Sequence, residues 1–509
     1  MELVRFDSLS LYDRLSQHCA DQPDKLAAVT GDTRLTFGEL ARRVDGLISV
    51  LLDRGIGPGD RVLWLGQNSH HIFELVVACI RVGAMVCPVN WRQTTDELKF
   101  VLADWDPQVV VWQEGQIGDH LAELRDGRDV DDQRNWIPVD GNDGYEALVA
   151  DGATGHSFAR ADEPISAGGL ALYTAAFSGR PAAALLSEQG LYAQGVTHIP
   201  VLESRPDDVN LVVTPLFHVL SWVALLPVFI SGGINVFIPR PNAEEICRAI
   251  AEVGATTGPL MPQTAMQVAE FNADGRYDLS GFRSALRVRG WRDMTTPGTT
   301  VGGYGQTETT GPILLAAADS KIGGPIRGRP SPIARVRVVD EHGDDVARGE
   351  VGEIVVAGPT VTTGFWNRPE LTAERLRGDW WNTGDLGRCD EDGVYTFIGP
   401  NRRMIKTGGE NVYPAEVESC LEAHADVKSA ALIGLPDKTW GQLVTAIVER
   451  KPGSSLDAPA LIADAQTKLA KYKAPRAVHF VDEMPMTAGG KDYAALDAQF
   501  GGGNYPGSH

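Results

Sequence analysis

The chain is poor in positive charge. Lys and Arg number 46 against 67 Asp and Glu, a formal net charge of -21. Such a surface repels polyanions, which excludes nucleic acid and an anionic membrane face as partners. Cysteine is scarce as well. The six (Cys19, Cys79, Cys87, Cys247, Cys389, Cys420) are scattered, with no C-x-x-C pair. That argues against a zinc site and a disulfide framework, and fits a reducing cytoplasm. No secretory signal opens the chain, because charges interrupt MELVRFDSLSLYDRL. The most apolar run, 211–230, is broken by Pro215, His218, Ser221 and Pro227. It reads as a buried core segment and not as a membrane span. No short repeat is present.

What is there is length and alternation. A chain of 509 residues holds two or more domains. Thr36, Phe37, Glu39 and Leu40 open an amphipathic helix through Leu52. Gly59-Asp60 turns into an apolar strand over 61–65, a helix runs over 71–82, and a strand over 85–88. This βαβ order predicts a largely parallel, covered sheet. Residues 113–165 are acidic, glycine-rich and weakly periodic, and read as a variable surface segment without function.

Residues 399–418 read GPNRRMIKTGGENVYPAEVE. Pro400-Asn401 is a turn. Gly408-Gly409 can adopt φ > 0 and admit another molecule close to the backbone. Pro414 starts a helix with Glu416 and Glu418 in an acidic first turn. The stretch resembles, nearly residue for residue, the hinge and following loop of adenylate-forming enzymes. That superfamily comprises acyl-CoA synthetases, peptide-synthetase adenylation domains and beetle luciferases. The resemblance implies an α/β fold: a large multi-sheet N-terminal AMP-binding domain, 1–400, and a small mobile α+β domain, 401–500. A flexible tail, 501–509, follows. Within the small domain the pattern gives a helix over 414–424, strands over 427–434 and 444–449, a helix over 458–471 and a strand over 477–482.

The resemblance extends along the chain and implies roles. Gly303-Tyr304-Gly305-Gln306-Thr307-Glu308 matches the AMP motif. There Tyr304 flanks adenine, Thr307 contacts the α-phosphate and Glu308 helps hold Mg²⁺. Asp385, in Trp381-Asn382-Thr383-Gly384-Asp385, accepts the ribose hydroxyls. Thr214-Pro215-Leu216-Phe217-His218 matches the acyl-pocket segment, although His218 also suits a satisfied core histidine. No Asp follows in 219–223, which favours a carboxylic acid without an α-amine. Gly408, Gly409, Trp440 and Gly441 match the CoA tunnel. Lys406 is placed to reach the reaction centre, and Lys491 falls on the lysine that bridges carboxylate and α-phosphate during adenylation. Lys471 and Lys473 read as solvated.

Three departures stand against that frame. Residues 173–188 read YTAAFSGRPAAALLSE. Thr174, Ser178 and Gly179 keep the frame of the phosphate loop. Its first glycine is Ala176, the next hydroxyl is Phe177, the lysine is Ala182, the following glycine is Ala183 and the histidine is Glu188. A triphosphate cradle needs glycine backbone, donors and a cation. The hinge has Pro400 where the family has Arg, with Arg402 and Arg403 following. Between Gly290 and Gly303 the helix expected beside the adenine and acyl pockets is cut short, and Pro297 interrupts it. That predicts an opened cavity and a bulky, even polycyclic, acyl group.

Contacts to AMP and CoA thus remain while those to the outer phosphates are stripped. The pattern resembles the non-adenylating CoA ligase of the split acyl-CoA synthetase pairs in platensimycin- and platencin-type pathways. It implies CoA and acyl-AMP as ligands, puts ATP and Mg²⁺ in question, and suggests a separate adenylating paralogue as partner. An ordinary ATP-dependent synthetase and a non-catalytic adenylate-binding protein are the alternatives. Nothing in the sequence favours a luciferase-type oxidase.

Overall fold

The computed structural model describes residues 10–113, 115, 136–141, 144–152, 168–174, 181–298, 302–316, 326–400, 404–487, 490–503 and 505. Two α/β sheets form its first half. One has the strand order Trp136–Pro138, Val109–Trp112, Arg61–Leu65, Met85–Pro88, Gly169–Thr174, Ala182–Ser187. All its pairs are parallel except the last. Its central strands are buried on both faces, which is why VVVW and MVCP read as continuous apolar runs. The second sheet orders Thr33–Thr36, Leu26–Thr30, Ile234–Phe237 and Val209–Val212.

Helices cover these sheets, and local chemistry sets where they begin. Thr36 and Glu39 close a capping box on the helix Phe37–Asp53, and Thr94 and Glu97 do the same for Thr95–Trp105. The apolar run resolves into the strand Val209–Val212 and the buried helix Val219–Ser231. Among the described residues no helix is long and apolar enough to cross a membrane.

An eight-stranded sheet follows, with the path Gly303–Gln306, Gly311–Ala316, Arg327–Pro330, Tyr395–Pro400, Trp380–Cys389, Val351–Ala357, Arg335–Val339, and with Leu376–Arg377 paired to Trp380–Cys389 off that path. Residues 405–481 form a separate five-stranded sheet around the hairpin Val427–Asp437 and Gly441–Arg450. The expected α/β architecture, a large N-terminal domain and a small C-terminal one, is what the chain adopts.

Three expectations need correction. Part of 113–165 is ordered architecture: Trp136–Pro138 joins the sheet, and the helix Tyr145–Gly152 packs on Phe37–Asp53. Tyr145 is buried there and donates to Glu74. The weak periodicity hid it because three strand residues and two helical turns are too short to show a period. The tail is not free at Gly503 and Tyr505. Tyr505 accepts from the Gly434 amide and donates to Asp497, while Gly503 bonds Gly434 and Gln442. Finally, the helix Pro414–Glu422 carries only Glu416 in its first turn. Glu418 lies beyond it and accepts from the Leu432 amide.

Candidate active site at the domain boundary

The strand Gly303–Gln306 and the strand Trp380–Cys389 bring the AMP-motif residues together. The Tyr304 hydroxyl donates to Asp385 at 2.7 Å, and Gln306 Nε2 donates to the same carboxylate at 3.3 Å and to the Thr383 carbonyl at 3.2 Å. Trp381 Nε1 holds Gln306 Oε1 at 3.2 Å. Tyr304 stacks on Phe397 with centroids 4.8 Å apart. Gly303 and Gly305 have a packing reason to lack a side chain. A Cβ at either would strike a carbonyl of the neighbouring strand, Leu314 or Gly311.

A one-turn 3-10 helix, Thr307–Thr309, then buries Glu308. Burial pushes its pKa up to about 7, with its own backbone amide and Arg375 opposing and Asp385 adding to the rise. Burial likewise lifts Asp385 to about 6, against the hydrogen bonds from Tyr304 and Gln306. A buried carboxylate held at the root of the phosphate-loop position is a donor set that fits Mg²⁺. Sequence reasoning missed Tyr413, the residue before the Pro414 helix. Burial raises its pKa, and the charges of Glu308 and Asp385 raise it further, so the small domain reaches this group.

The strands flanking the phosphate loop form a hairpin in which Thr174 lies opposite Ala182. Thr174 Oγ1 donates to the Ala182 carbonyl at 3.3 Å. Ala182 is 6 % exposed and Ala183 is fully buried. Ala176, Phe177, Ser178 and Gly179 lie outside the described residues, as do Arg402 and Arg403. Glu188 is buried and accepts from the Leu11 amide at 3.0 Å, so it ties down the N-terminal helix. Pro400 ends its strand in register with Asp385.

The small domain meets the large one through the hairpin Ile405–Thr407 and Glu410–Val412. Glu410 pairs with Arg92 at 2.7 Å and with His218 Nε2 at 3.4 Å. Burial opposes the Glu410 charge, but His218 and Arg92 outweigh it and hold the carboxyl below its ordinary range. His218 is therefore not a core histidine: its side chain is 47 % exposed at the head of the helix Val219–Ser231. Asn68 fixes the preceding turn by donating to the Thr214 carbonyl and accepting from the Leu216 amide. Gly408 and Gly409 take φ of +57° and +86°, and Gly408 donates to the Trp440 carbonyl. A Cβ on Gly408 would press on the Trp440 ring. Arg476 lies over the other part of that indole at 3.7 Å, a cation–π contact the sequence did not flag. Gly441 has φ +79°, and the exposed Lys406 is fixed through its amide to Gln442 at 2.7 Å.

The two lysine expectations part company. Lys473 is not solvated: 4 % exposed, it bridges Glu97 of the large domain at 2.9 Å and Glu416 at 2.7 Å. Burial opposes its charge, and the two carboxylates overcome that and raise its pKa. The Y-K-A-P spacing held no sign of this, because its partners lie far apart in sequence. Lys471 is exposed, as expected. Lys491 is not brought to Tyr304, Gln306 and Asp385. It bonds Glu418, Glu422 and the Ala430 carbonyl within the small domain. The shortened segment before Gly303 is a four-residue helix, Trp291–Met294, pinned by Trp291 Nε1 to Ser284.

Residues 15–366 match the AMP-binding enzyme family and 416–491 the AMP-binding enzyme C-terminal domain. The chain is 34 % identical over 480 residues to a feruloyl-CoA synthase of an Amycolatopsis species, covering 92 % of this chain and 94 % of that protein. It is 33 % identical over 500 residues to an indoleacetate–CoA ligase of Aromatoleum aromaticum, covering 95 % and 96 %. The amide bond synthetase McbA from Marinactinospora thermotolerans superposes with a TM-score of 0.81 at 25 % identity, over 97 % of this chain and all of that one. The chain belongs to the AMP-binding enzyme family.

Proposed function

We propose that this protein is an acyl-CoA ligase that forms its thioester from a preformed acyl-adenylate and CoA, with ATP-dependent adenylation weak or absent. Position 182 carries the reading. Where the family resemblance calls for a lysine there is a buried alanine, bonded through its carbonyl to Thr174. Removing the cation from a desolvated charge pair weakens binding by about 2–5 kcal/mol. The seating of the small domain supports the same reading, since the glycine hairpin faces His218 while Lys491 is engaged elsewhere.

In the step itself the CoA sulfur bonds the acyl carbonyl carbon, the carbon–oxygen bond to phosphate breaks, and AMP leaves with that electron pair. The thiol proton passes to His218, which Glu410 orients. The leaving group is already good, so catalysis is mainly positioning and charge stabilisation. Tyr304, Gln306 and Asp385 hold the adenosine part. Trp440 and the flanking glycines line the CoA path, and Arg92 and Arg476 are cations beside it. The acid is a ring-bearing carboxylic acid, in line with the feruloyl and indoleacetate groups named for the relatives. The short helix Trp291–Met294 leaves room for a bulky one. The hinge falls at 400–401, the setting is the cytoplasm, and a separate adenylating enzyme supplies the substrate.

A second reading, the ordinary ATP-dependent synthetase, is favoured by the retained Lys491 and by Glu308, whose surroundings fit Mg²⁺. One assay separates them. Ring-bearing acids are supplied with ATP, Mg²⁺ and CoA, or as synthetic adenylates with CoA alone. Product from the adenylates only supports the proposal. Product from free acid and ATP overturns it in favour of the second reading. Tight binding of adenylates without product indicates a binding protein.

A further inference from the structure

We propose that His70, His71 and Glu146, none of which belongs to the nucleotide group, form a binding site for a single divalent transition-metal ion of the zinc type. His70 and His71 head the helix His70–Val82, and Glu146 sits in the first turn of Tyr145–Gly152. One donor atom from each lies within 4.8 Å of the others. A tetrahedral centre with bonds of about 2.0–2.2 Å needs donors roughly 3.3–3.5 Å apart. Glu146 Oε1 lies 2.8 Å from His71 Nε2 and 4.0 Å from His70 Nε2, which straddles that spacing.

His70 is the independent observation. It is 3 % exposed, and among the described residues neither of its ring nitrogens has a hydrogen-bond partner. A buried imidazole with two idle nitrogens is a rare and unfavourable arrangement, and a ligated ion would give one of them a partner. The surroundings resemble the outer sphere of a metal centre. His71 Nδ1 lies 3.3 Å from Ser69 Oγ, while Nε2 bonds Glu146 Oε1 at 2.8 Å, a contact the ion would replace by binding between the two atoms. Arg43 grips both oxygens of Glu146 and is itself neutralised by the buried Glu74. With both rings neutral, Arg43, Glu74 and Glu146 sum to one net negative charge, which suits a dication. Two imidazoles and one carboxylate select zinc, nickel or copper over magnesium or calcium. The Glu146 side chain is 51 % exposed, so the ion has a path from solvent and a fourth position for water. The scarcity of cysteine bears only on thiolate sites. Bound there, the ion would staple Tyr145–Gly152 to the head of His70–Val82.

The test uses the full-length, tag-free chain, stripped with a chelator. Zn²⁺ is titrated by calorimetry and Co²⁺ by its visible absorption. We expect one ion per chain, tetrahedral Co²⁺ bands and a zinc-dependent rise in melting temperature. Glu146→Gln and His71→Asn should each weaken binding on the order of 100-fold. His342→Ala, at an exposed histidine elsewhere, should leave it unchanged. His71→Asn supplies the comparison if Glu146→Gln disturbs the Arg43 network, and circular dichroism checks both folds. No binding by the parent chain, or equal binding by parent and both variants, overturns the proposal.

Discussion

Lys473 and Lys491 lie in the same small domain, and both meet two carboxylates, but the two regions around them are built differently. Lys473 is buried, and one partner, Glu97, belongs to the large domain. Lys491 is 19 % exposed and finds all its partners inside its own domain. The first region fastens the hairpin side of the small domain onto the large one. The second neutralises the lysine that the family resemblance assigns to adenylation. Charge pairs can therefore hold a domain in place on one side and occupy a functional group on the other.

The contrast breaks first at Lys473. Replacing it with Met strands Glu97 and Glu416 as unpaired buried charges, which should cost about 3–5 kcal/mol in denaturant unfolding. Because its folded pKa is raised, the wild-type contribution should persist up to about pH 10.4 and fade only as pH rises further. A variant as stable as the parent would remove the fastening role.

Glu308 sharpens the comparison from the nucleotide side. The folded protein holds the Glu308 proton up to about pH 7, and the unfolded chain only to about 4.5. Between those values the folded state binds more protons, so stability falls as pH rises. Glu308→Gln should remove that fall. Melting curves should show the variant more stable at about pH 8, by on the order of 3 kcal/mol, and equal to the parent near about pH 4. Coincident curves at both values would mean that Glu308 is ionised without strain.

Smaller effects test the hairpin. Glu410→Gln should loosen the contact with His218 and Arg92 by roughly 1 kcal/mol or less, since those partners are partly exposed. Its folded pKa is lowered, so the parent's advantage should exist above about pH 4.3 and vanish as pH falls below it. The readout is the rate of thioester formation from a synthetic adenylate. Smallest of all, Lys491→Ala should leave that rate unchanged while abolishing any acid-dependent ATP–pyrophosphate exchange. A matching drop in both would place Lys491 in the thioester step.

The α/β alternation and the longer strands and helices of the small domain were legible because each rests on a local pattern, whereas Tyr304 and Asp385, 81 residues apart, were grouped only through the family resemblance. Thr36 and Glu39 announce their helix three residues apart, and the structure closes that box. Lys473 was misjudged and His218 left open because their partners Glu97 and Glu410 are 376 and 192 residues away. No window along the chain contains both halves of such a pair. Tyr145 and Glu146 were passed over for a different reason. Their segment is too short to display a period, and it owes its place to Glu74 and Arg43.

The strand Trp380–Cys389 carries Trp381, 1 % exposed in the core, and Asp385 only four residues on. Asp385, bonded to Tyr304 and Gln306, is thus part of a core sheet, and a change there disturbs packing around Trp381 as well. His218, 47 % exposed, hangs on a connecting segment instead. The Tyr304–Asp385 group is therefore harder to alter without loss of core packing than His218, which stands half-exposed where a loop enters its helix.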